Sequence, residues 1–327
     1  MRRNSQRDNK SSLPVFQMQG YKSPPKNPRP NAGGFVKVQA YAKINLFLDV
    51  LGKRDDGYHN ILSVMQSVSL CDEITIKCRN DASSNTAPCR LTCDMPGIPT
   101  DENNLVLKAA NALIREHDIP HGFDISLKKR IPAGAGLAGG SSDCAATLLG
   151  IKELLNLNIS FERLLETAKN LGADVPFCLV GGTALAEGIG EQLTVLPPHP
   201  PCFIVIACPP VHVSTAEIFA KIDAVGHGDA TKIKAAIASK NAAQTASELY
   251  NCFTPITSAL YPEISGLINK FKNMGALGAS MTGTGSSVFA YFNNENIAHA
   301  ALNKIEKYAK TYLCTPVGTA GFGAKLH

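Results

Sequence analysis

The stretch 130–155, RIPAGAGLAGGSSDCAATLLGIKELL, constrains this chain more than any other. Ahead of it, apolar Phe123, Ile125 and Leu127 alternate with Asp124, Ser126 and Lys128, the period of a half-buried strand. Within it, Leu148, Ile151 and Leu155 recur at helical spacing. Between strand and helix lies a loop with Gly134, Gly136, Gly139 and Gly140 set among alanines, and Ser141, Ser142 and Asp143 mark the turn into the helix. A loop without bulk at its centre lets backbone N–H groups approach a ligand closely. It also delivers them at a helix N-terminus, where the macrodipole favours negative charge. That is a phosphate cradle; the plainer alternative is a tight strand-to-helix connection that binds nothing. Four glycines and two serines within residues 134–142 favour the cradle.

The loop does not match the common nucleotide motifs. Gly134, Gly136 and Gly139 have the GxGxxG spacing, but the nearest downstream acid, Glu153, falls inside the helix rather than at the end of a second strand. No GxxxxGK[ST] is present, since Gly52-Lys53 is followed by Arg54, and the protein-kinase HRD and DFG signatures are absent. A nucleoside triphosphate held here requires a different class of phosphate loop.

Upstream, every second residue from Val36 to Val50 is apolar, while Lys37, Gln39, Tyr41, Lys43, Asn45, Phe47 and Asp49 occupy the other face. This predicts a strand too long to stay regular, bending or dividing near Lys43, with Lys43 and Asn45 together on the non-core face. The segment 52–61 reads as a loop around the Asp56-Gly57 turn, followed by a strand at 71–78. Residues 79–102 read as a polar surface excursion. Asn104 opens a helix through Val106, Ala109, Ala110 and Leu113, and Ser160 caps another that ends at Gly172. Strands follow at 183–187 and 192–196. The run Pro197-Pro-His-Pro-Pro marks a domain boundary. Beyond it come a buried-type strand at 203–207, helices to about residue 272, the glycine-rich segment 278–287, a strand at 288–292, a helix at 297–308 and a last strand. The pattern predicts an α+β protein with antiparallel sheets and helices on one side. The domains read as 1–34, a disordered basic tail, then 35–198 and 199–327.

Charge narrows the function. Residues 1–34 hold seven Lys/Arg and one acid, leaving 25 basic and 26 acidic residues for the rest, so the folded body is not built to bind nucleic acid. No apolar run reaches the ~20 residues of a membrane span. The ten cysteines show no zinc-site spacing, so no metal ligand set is assigned, and they read as reduced thiols of a cytoplasmic protein. The basic tail leaves an organelle-targeting segment, of plastid type, as the alternative location. Two further residues invite chemistry. Lys43 lies in the apolar run AYAKINLFL, and Asp174 follows a helix end next to Val175 and Pro176. Read singly, they are a solvated lysine and a turn carboxylate. Beside a phosphate cradle, a cation and a carboxylate are what phosphorylation of a hydroxyl needs.

PAGAGLAGGSSD (132–143) resembles the ATP-binding motif of the GHMP kinases, the superfamily of galactokinase, homoserine kinase and mevalonate kinase. The blocks 40–61, 172–177, 186–191 and 281–290 resemble, in order, one branch of it that acts on a cytidine diphosphate-linked alcohol. The resemblance runs from about Phe35 to the C-terminus. It implies a two-domain fold, an N-terminal ribosomal-protein-like α/β domain followed by a C-terminal ferredoxin-like domain. It implies ATP with Mg²⁺, and Lys43 and Asp174 as the catalytic pair. Pro132, Ala133, Gly134, Ala135, Gly136, Leu137, Ala138, Gly139, Gly140, Ser141 and Ser142 would wrap the ATP phosphates, with Asn104 at the neighbouring helix start. Asn45, Tyr58, His59, Phe219, Gly283, Thr284 and Gly285 would face the substrate, Tyr58 and Phe219 sandwiching the cytosine. The partner is then a small cytidine diphosphate substrate, with no nucleic acid and no membrane, and the chain a monomer or weak homodimer. The rivals are another small-molecule kinase of the superfamily and a non-catalytic RNA-binding protein on the same fold.

Overall fold

The computed structural model describes residues 34–79, 89–222 and 228–319 and the strand residues 325–326. The basic tail expected at 1–34 lies, except for Gly34, outside the described residues. Two long strands, β1 (Phe35–Lys53) and β2 (His59–Arg79), form a hairpin around the expected Asp56-Gly57 turn. β2 begins a dozen residues earlier than the sequence pattern indicates. Residues 61–68 are buried without a break, so they lack the alternation that marks a half-buried strand. Next come β3 (Cys89–Cys93), α1 (Leu105–Glu116), β4 (Gly122–Lys128), α2 (Gly139–Leu154), α3 (Phe161–Leu171), α4 (Val175–Val180), β5 (Thr183–Glu187) and β6 (Gln192–Val195).

β1 is one continuous strand, but its register with β2 shifts between Tyr41 and Lys43, and again between Asn45 and Phe47. The irregularity expected near Lys43 is therefore a bend and not a break. Its consequence is visible in the packing. Val36, Val38 and Ala40 pack with Leu148 and Ile151 of α2 in one core. Ala42, Ile44 and Leu46 enter a second core with Ile204, Ile206, Phe289 and Tyr291, and Leu48 and Val50 enter a third. α2 lies close on the sheet because Gly150 has no side chain. A Cβ there would come within 2.7 Å of Ile76 Cδ1 and 3.0 Å of Val38 Cγ2.

Three local readings are corrected. The polar excursion 79–102 contains β3, which pairs in parallel with β4; five residues among polar neighbours are too few for a visible period. The segment after Gly172 contains the six-residue α4, with Pro176 in its first turn, and Gly172 ends α3 with extended backbone (φ 167°) rather than a left-handed turn. α2 starts at Gly139, ahead of the serines, with Ala138 as its N-cap residue in the left-handed region. Asn104 and Ser160 do cap α1 and α3, accepting from Val106 N and Arg163 N.

The segment 197–201 leads from this sheet to a second one. There follow β7 (Phe203–Cys208), α5 (Thr215–Ala220), α6 (Thr231–Ala238), α7 (Ala242–Ser247), β8 (Tyr250–Asn251), α8 (Thr254–Leu260) and α9 (Pro262–Asn273). The described chain closes with β9 (Gly278–Met281), β10 (Val288–Phe292), α10 (Glu295–Ile305), β11 (Lys310–Cys314) and β12 (Lys325–Leu326). The second sheet is antiparallel in the order β11-β7-β10-β9. The first runs β12-β1-β2-β4-β3, with β5 and β6 continuing from β2 and β8 beside β1. Two strands from beyond the proline run thus complete the sheet made before it.

His199, within that run, lies at the second core. Its Nε2 accepts from the Tyr291 hydroxyl at 2.9 Å and its Nδ1 donates to the Pro200 carbonyl at 2.7 Å. Burial lowers its pKa from 6.5 to about 4. The unfolded chain therefore binds this proton more readily, and stability contributed by the neutral ring is lost as pH falls from about 6.5 towards 4. Between pH 7 and pH 5 the parent chain should lose about 2 kcal/mol more stability than His199→Phe, measured by urea unfolding at both pH values.

Candidate functional site

The glycine loop folds as a cradle. Gly134 (φ 66°), Gly136 (φ 77°) and Ala138 (φ 56°) are all left-handed, which turns the chain sharply between β4 and α2. α2 has no side-chain cap, so its first N–H groups remain available to a ligand. A cavity of about 610 Å³ opens over them, lined by the loop and by Asn104, Leu105, Lys129, His212 and Thr215. The back of the loop is fixed by contact with the second half of the chain. A Cβ on Gly136 would collide with the Thr282 and Gly285 carbonyl oxygens. The Ser142 hydroxyl donates to the Tyr41 carbonyl at 2.6 Å, and Lys43 N donates to the Leu137 carbonyl at 3.1 Å, stitching the loop to β1.

Lys43 and Asp174 come together. Lys43 Nζ lies 3.8 Å from Asp174 Oδ2, the lysine side chain 6% exposed and the aspartate 34%. The face of β1 expected to be free of the core is therefore covered, by the loop on one side and by residues 282–285 on the other. Asp174 occupies the N-cap position of α4 without bonding the helix end, so its carboxylate stays available for chemistry. Asn45 is a hub. Its Oδ1 accepts from Lys43 Nζ at 2.8 Å, Gly283 N at 2.9 Å and Thr282 Oγ1 at 3.1 Å. Its Nδ2 donates to Ser63 Oγ at 2.9 Å.

The other expected residues divide. Gly283 (φ 58°) and Gly285 (φ 102°) allow the tight turn that puts Thr284 against Thr215, Oγ1 to Oγ1 3.1 Å. The Asn104 side chain caps α1 and donates to the Pro99 carbonyl at the cavity edge. His59 lies against Phe219 with ring centroids 5.2 Å apart, and Phe219 rests edge-on against Phe253 at 4.7 Å. Tyr58 is 61% exposed on the hairpin turn. In this structure the ring facing Phe219 is thus His59.

Sequence reasoning missed a buried charge cluster at the base of the loop. Lys129 Nζ lies 2.5 Å from Asp72 Oδ2 and 2.8 Å from Asp143 Oδ2. Asp72 Oδ1 also accepts from Arg130 N and Ile131 N. Burial pushes the Asp143 carboxyl well above the usual carboxylate range, against the pull of Lys129. Burial also works against the Lys129 ammonium, but the two carboxylates more than offset it and its pKa rises. The only local signal was Asp143 inside the SSD turn. Asn251, which donates to the Met281 and Gly283 carbonyls, and Ser63 were also missed; both act through contacts distant in sequence.

Comparison with known proteins bears on this arrangement. Residues 104–182 match the GHMP kinases N terminal domain and residues 223–311 the GHMP kinases C terminal domain. The 4-diphosphocytidyl-2-C-methyl-D-erythritol kinase of Lachnoclostridium phytofermentans is 41% identical over 86% of this chain and 96% of its own length. That of Acetivibrio thermocellus is 42% identical over 80% and 92%. A crystal structure of 4-(cytidine 5′-diphospho)-2C-methyl-D-erythritol kinase superposes with a TM-score of 0.74 at 30% identity, covering 86% of this chain and 99% of that one.

Lys129→Met should lower stability at neutral pH by about 3 kcal/mol, because it strands two buried carboxylates. Adding Asp143→Asn should restore part of that loss. Urea unfolding of the single and double variants reads the difference.

Proposed function

The chain belongs to the GHMP kinases and, within them, to the 4-diphosphocytidyl-2-C-methyl-D-erythritol kinases, and on that premise we propose how its side chains carry out the reaction. It transfers the γ-phosphoryl group of ATP to the 2-hydroxyl of 4-diphosphocytidyl-2-C-methyl-D-erythritol, giving the 2-phosphate and ADP, in the non-mevalonate route to isopentenyl diphosphate. The observation that carries the assignment of roles is the Lys43–Asp174 pair at 3.8 Å beneath an uncapped helix N-terminus.

Asp174 orients the acceptor hydroxyl and receives its proton. Lys43 stabilises negative charge on the transferring group and keeps Asp174 in place. Transfer through a loose transition state asks more of positioning and charge than of proton abstraction, which suits a pair held by a hydrogen-bonded scaffold. Residues 132–142 take the ATP phosphates, with Asn104 at the rim of the nucleotide cavity. Mg²⁺ bound with the ATP would neutralise phosphate charge there. Among the described residues no group of three His, Cys, Asp or Glu side chains is placed to hold a metal ion. Ser142, buried with its proton directed at the Tyr41 carbonyl, would have lone pairs for the metal only if the loop opened towards it.

His59, Phe219 and Tyr58 hold the cytosine, Tyr58 closing from its exposed position, and the turn 283–285 lies beside the substrate phosphates. The reading divides the chain into a tail at 1–34 and domains at 35–198 and 199–327. It describes a cytoplasmic enzyme acting as a monomer or weak homodimer, as suits the bacterial sources of its relatives. No helix among the described residues is long and apolar enough to cross a membrane.

The test is ADP release coupled to formation of the 2-phosphate from ATP and the cytidine substrate. A folded chain that binds ATP, ignores this substrate and phosphorylates another alcohol would refute the substrate assignment. Asp174→Asn and Lys43→Ala should each lower kcat by about 10²- to 10⁴-fold while remaining folded. Phe219→Ala should raise KM for the cytidine substrate about tenfold and leave KM for ATP within about twofold, in steady-state titrations of each substrate.

A further inference from the structure

Ser63 sits near the start of β2, fully buried and opposite Leu48 in the ladder, beside the register shift between Asn45 and Phe47. A serine hydroxyl has one proton to give. Here it goes to the Phe47 carbonyl at 2.7 Å. Towards Asn45, 2.9 Å away, the same oxygen can only accept. The Asn45 nitrogen must therefore point at Ser63, and the carboxamide oxygen must point the other way.

That direction matters because of what waits on the far side. Lys43 Nζ and Gly283 N are donors with no capacity to accept, and both reach Asn45 Oδ1. Thr282 Oγ1, which accepts from Asn45 N, supplies a third donor. With the amide reversed, an NH₂ group would face an ammonium and a backbone N–H. The Lys43 ammonium would lose its 2.8 Å anchor, and the turn at 282–285 would lose its tie to β1. Lys43 and Gly283 oppose that reversal from the oxygen side, and Ser63, able only to accept here, opposes it from the nitrogen side.

We propose that Ser63 is a positioning residue for phosphoryl transfer. By accepting from Asn45 Nδ2 it anchors the nitrogen side of the carboxamide, so that the oxygen stays aimed at the Lys43 ammonium and the Gly283 turn. The proposal rests on the reading that Lys43 and Asp174 carry the transfer. Ser63 itself acts only through Asn45.

The experiment is a double-mutant cycle on kcat, with KM for ATP and for the cytidine substrate measured throughout. Ser63→Ala should lower kcat about 10- to 100-fold with both KM values within about twofold, and Ser63→Thr, which keeps the hydroxyl, should restore most of the rate. Asn45→Ala and the double variant should have the same kcat within about twofold, because the effect of Ser63 passes through Asn45. Full activity in Ser63→Ala, or a double variant slower than Asn45→Ala by the whole single-variant factor, would overturn the proposal. If Ser63→Ala does not fold, Ser63→Cys, close in volume but a weak acceptor, takes its place in the same cycle. Lys43→Ala runs alongside. Should it keep the parent rate, the reading of the catalytic pair fails; should it lose the rate while Ser63→Ala does not, only the role of Ser63 fails.

Discussion

Gly136 and the Thr282 carbonyl lie so close that no side chain fits between them. Gly136 belongs to the loop after β4, and Thr282 to the turn between β9 and β10, so this contact joins a loop of the first sheet to a turn of the second. Both loops meet above the same short piece of β1. Leu137 accepts from the backbone of Lys43, and Gly283 donates to the side chain of Asn45. The glycine loop, Lys43 and the second glycine turn are thus three sides of one junction. Its shape is set by backbone atoms, whose positions vary less than those of side chains. A centre that works by holding a phosphoryl group, a hydroxyl and two charges in register has reason to be built that way.

The junction carries unusual buried charge. Lys43 and Lys129 are both nearly inaccessible, and each is matched by carboxylate. The two matches serve different ends. Lys43 meets a partner that remains one-third exposed at the cavity. Lys129 meets two partners that are wholly enclosed, tying β2, the start of the loop and α2 together. Two carboxylates under a phosphate cradle would repel the ligand if both were charged. The Lys129 ammonium held between the two acids works against that.

Elements with a period were legible in the sequence. The alternation at 36–50, the caps Asn104 and Ser160 and the glycine-rich 130–155 stretch all became the expected elements, since each is dictated by neighbours in the chain. β3 and α4 escaped because five or six residues do not complete a recognisable pattern. The start of β2 escaped because burial on both faces erases alternation. The meeting of Lys43 with Asp174 was anticipated from residue type and family resemblance, but the surroundings of the pair were not. Ser63, Asn251, Thr282 and Lys129 are ordinary residues in ordinary runs. They matter through partners far away in sequence, and no local rule exposes such a partner. The same reason explains Asn45, legible as a neighbour of Lys43 but not as the acceptor of three hydrogen bonds.

The outer edge of β1 is closed in pieces. Residues 36 and 37 pair with β12, Lys43 donates to Leu137, Phe47 and Leu48 pair with β8, and Cys252 donates to the Leu48 carbonyl. Those covers come from the middle, the second half and the far end of the chain. β1 precedes all of these partners in the sequence, so its edge is completed only by segments that follow it. Until residues 250–252 and 325–326 are in place, it presents an open, largely apolar edge to any other strand in reach. Closing this edge therefore depends on segments that are distant in the sequence reaching β1 together.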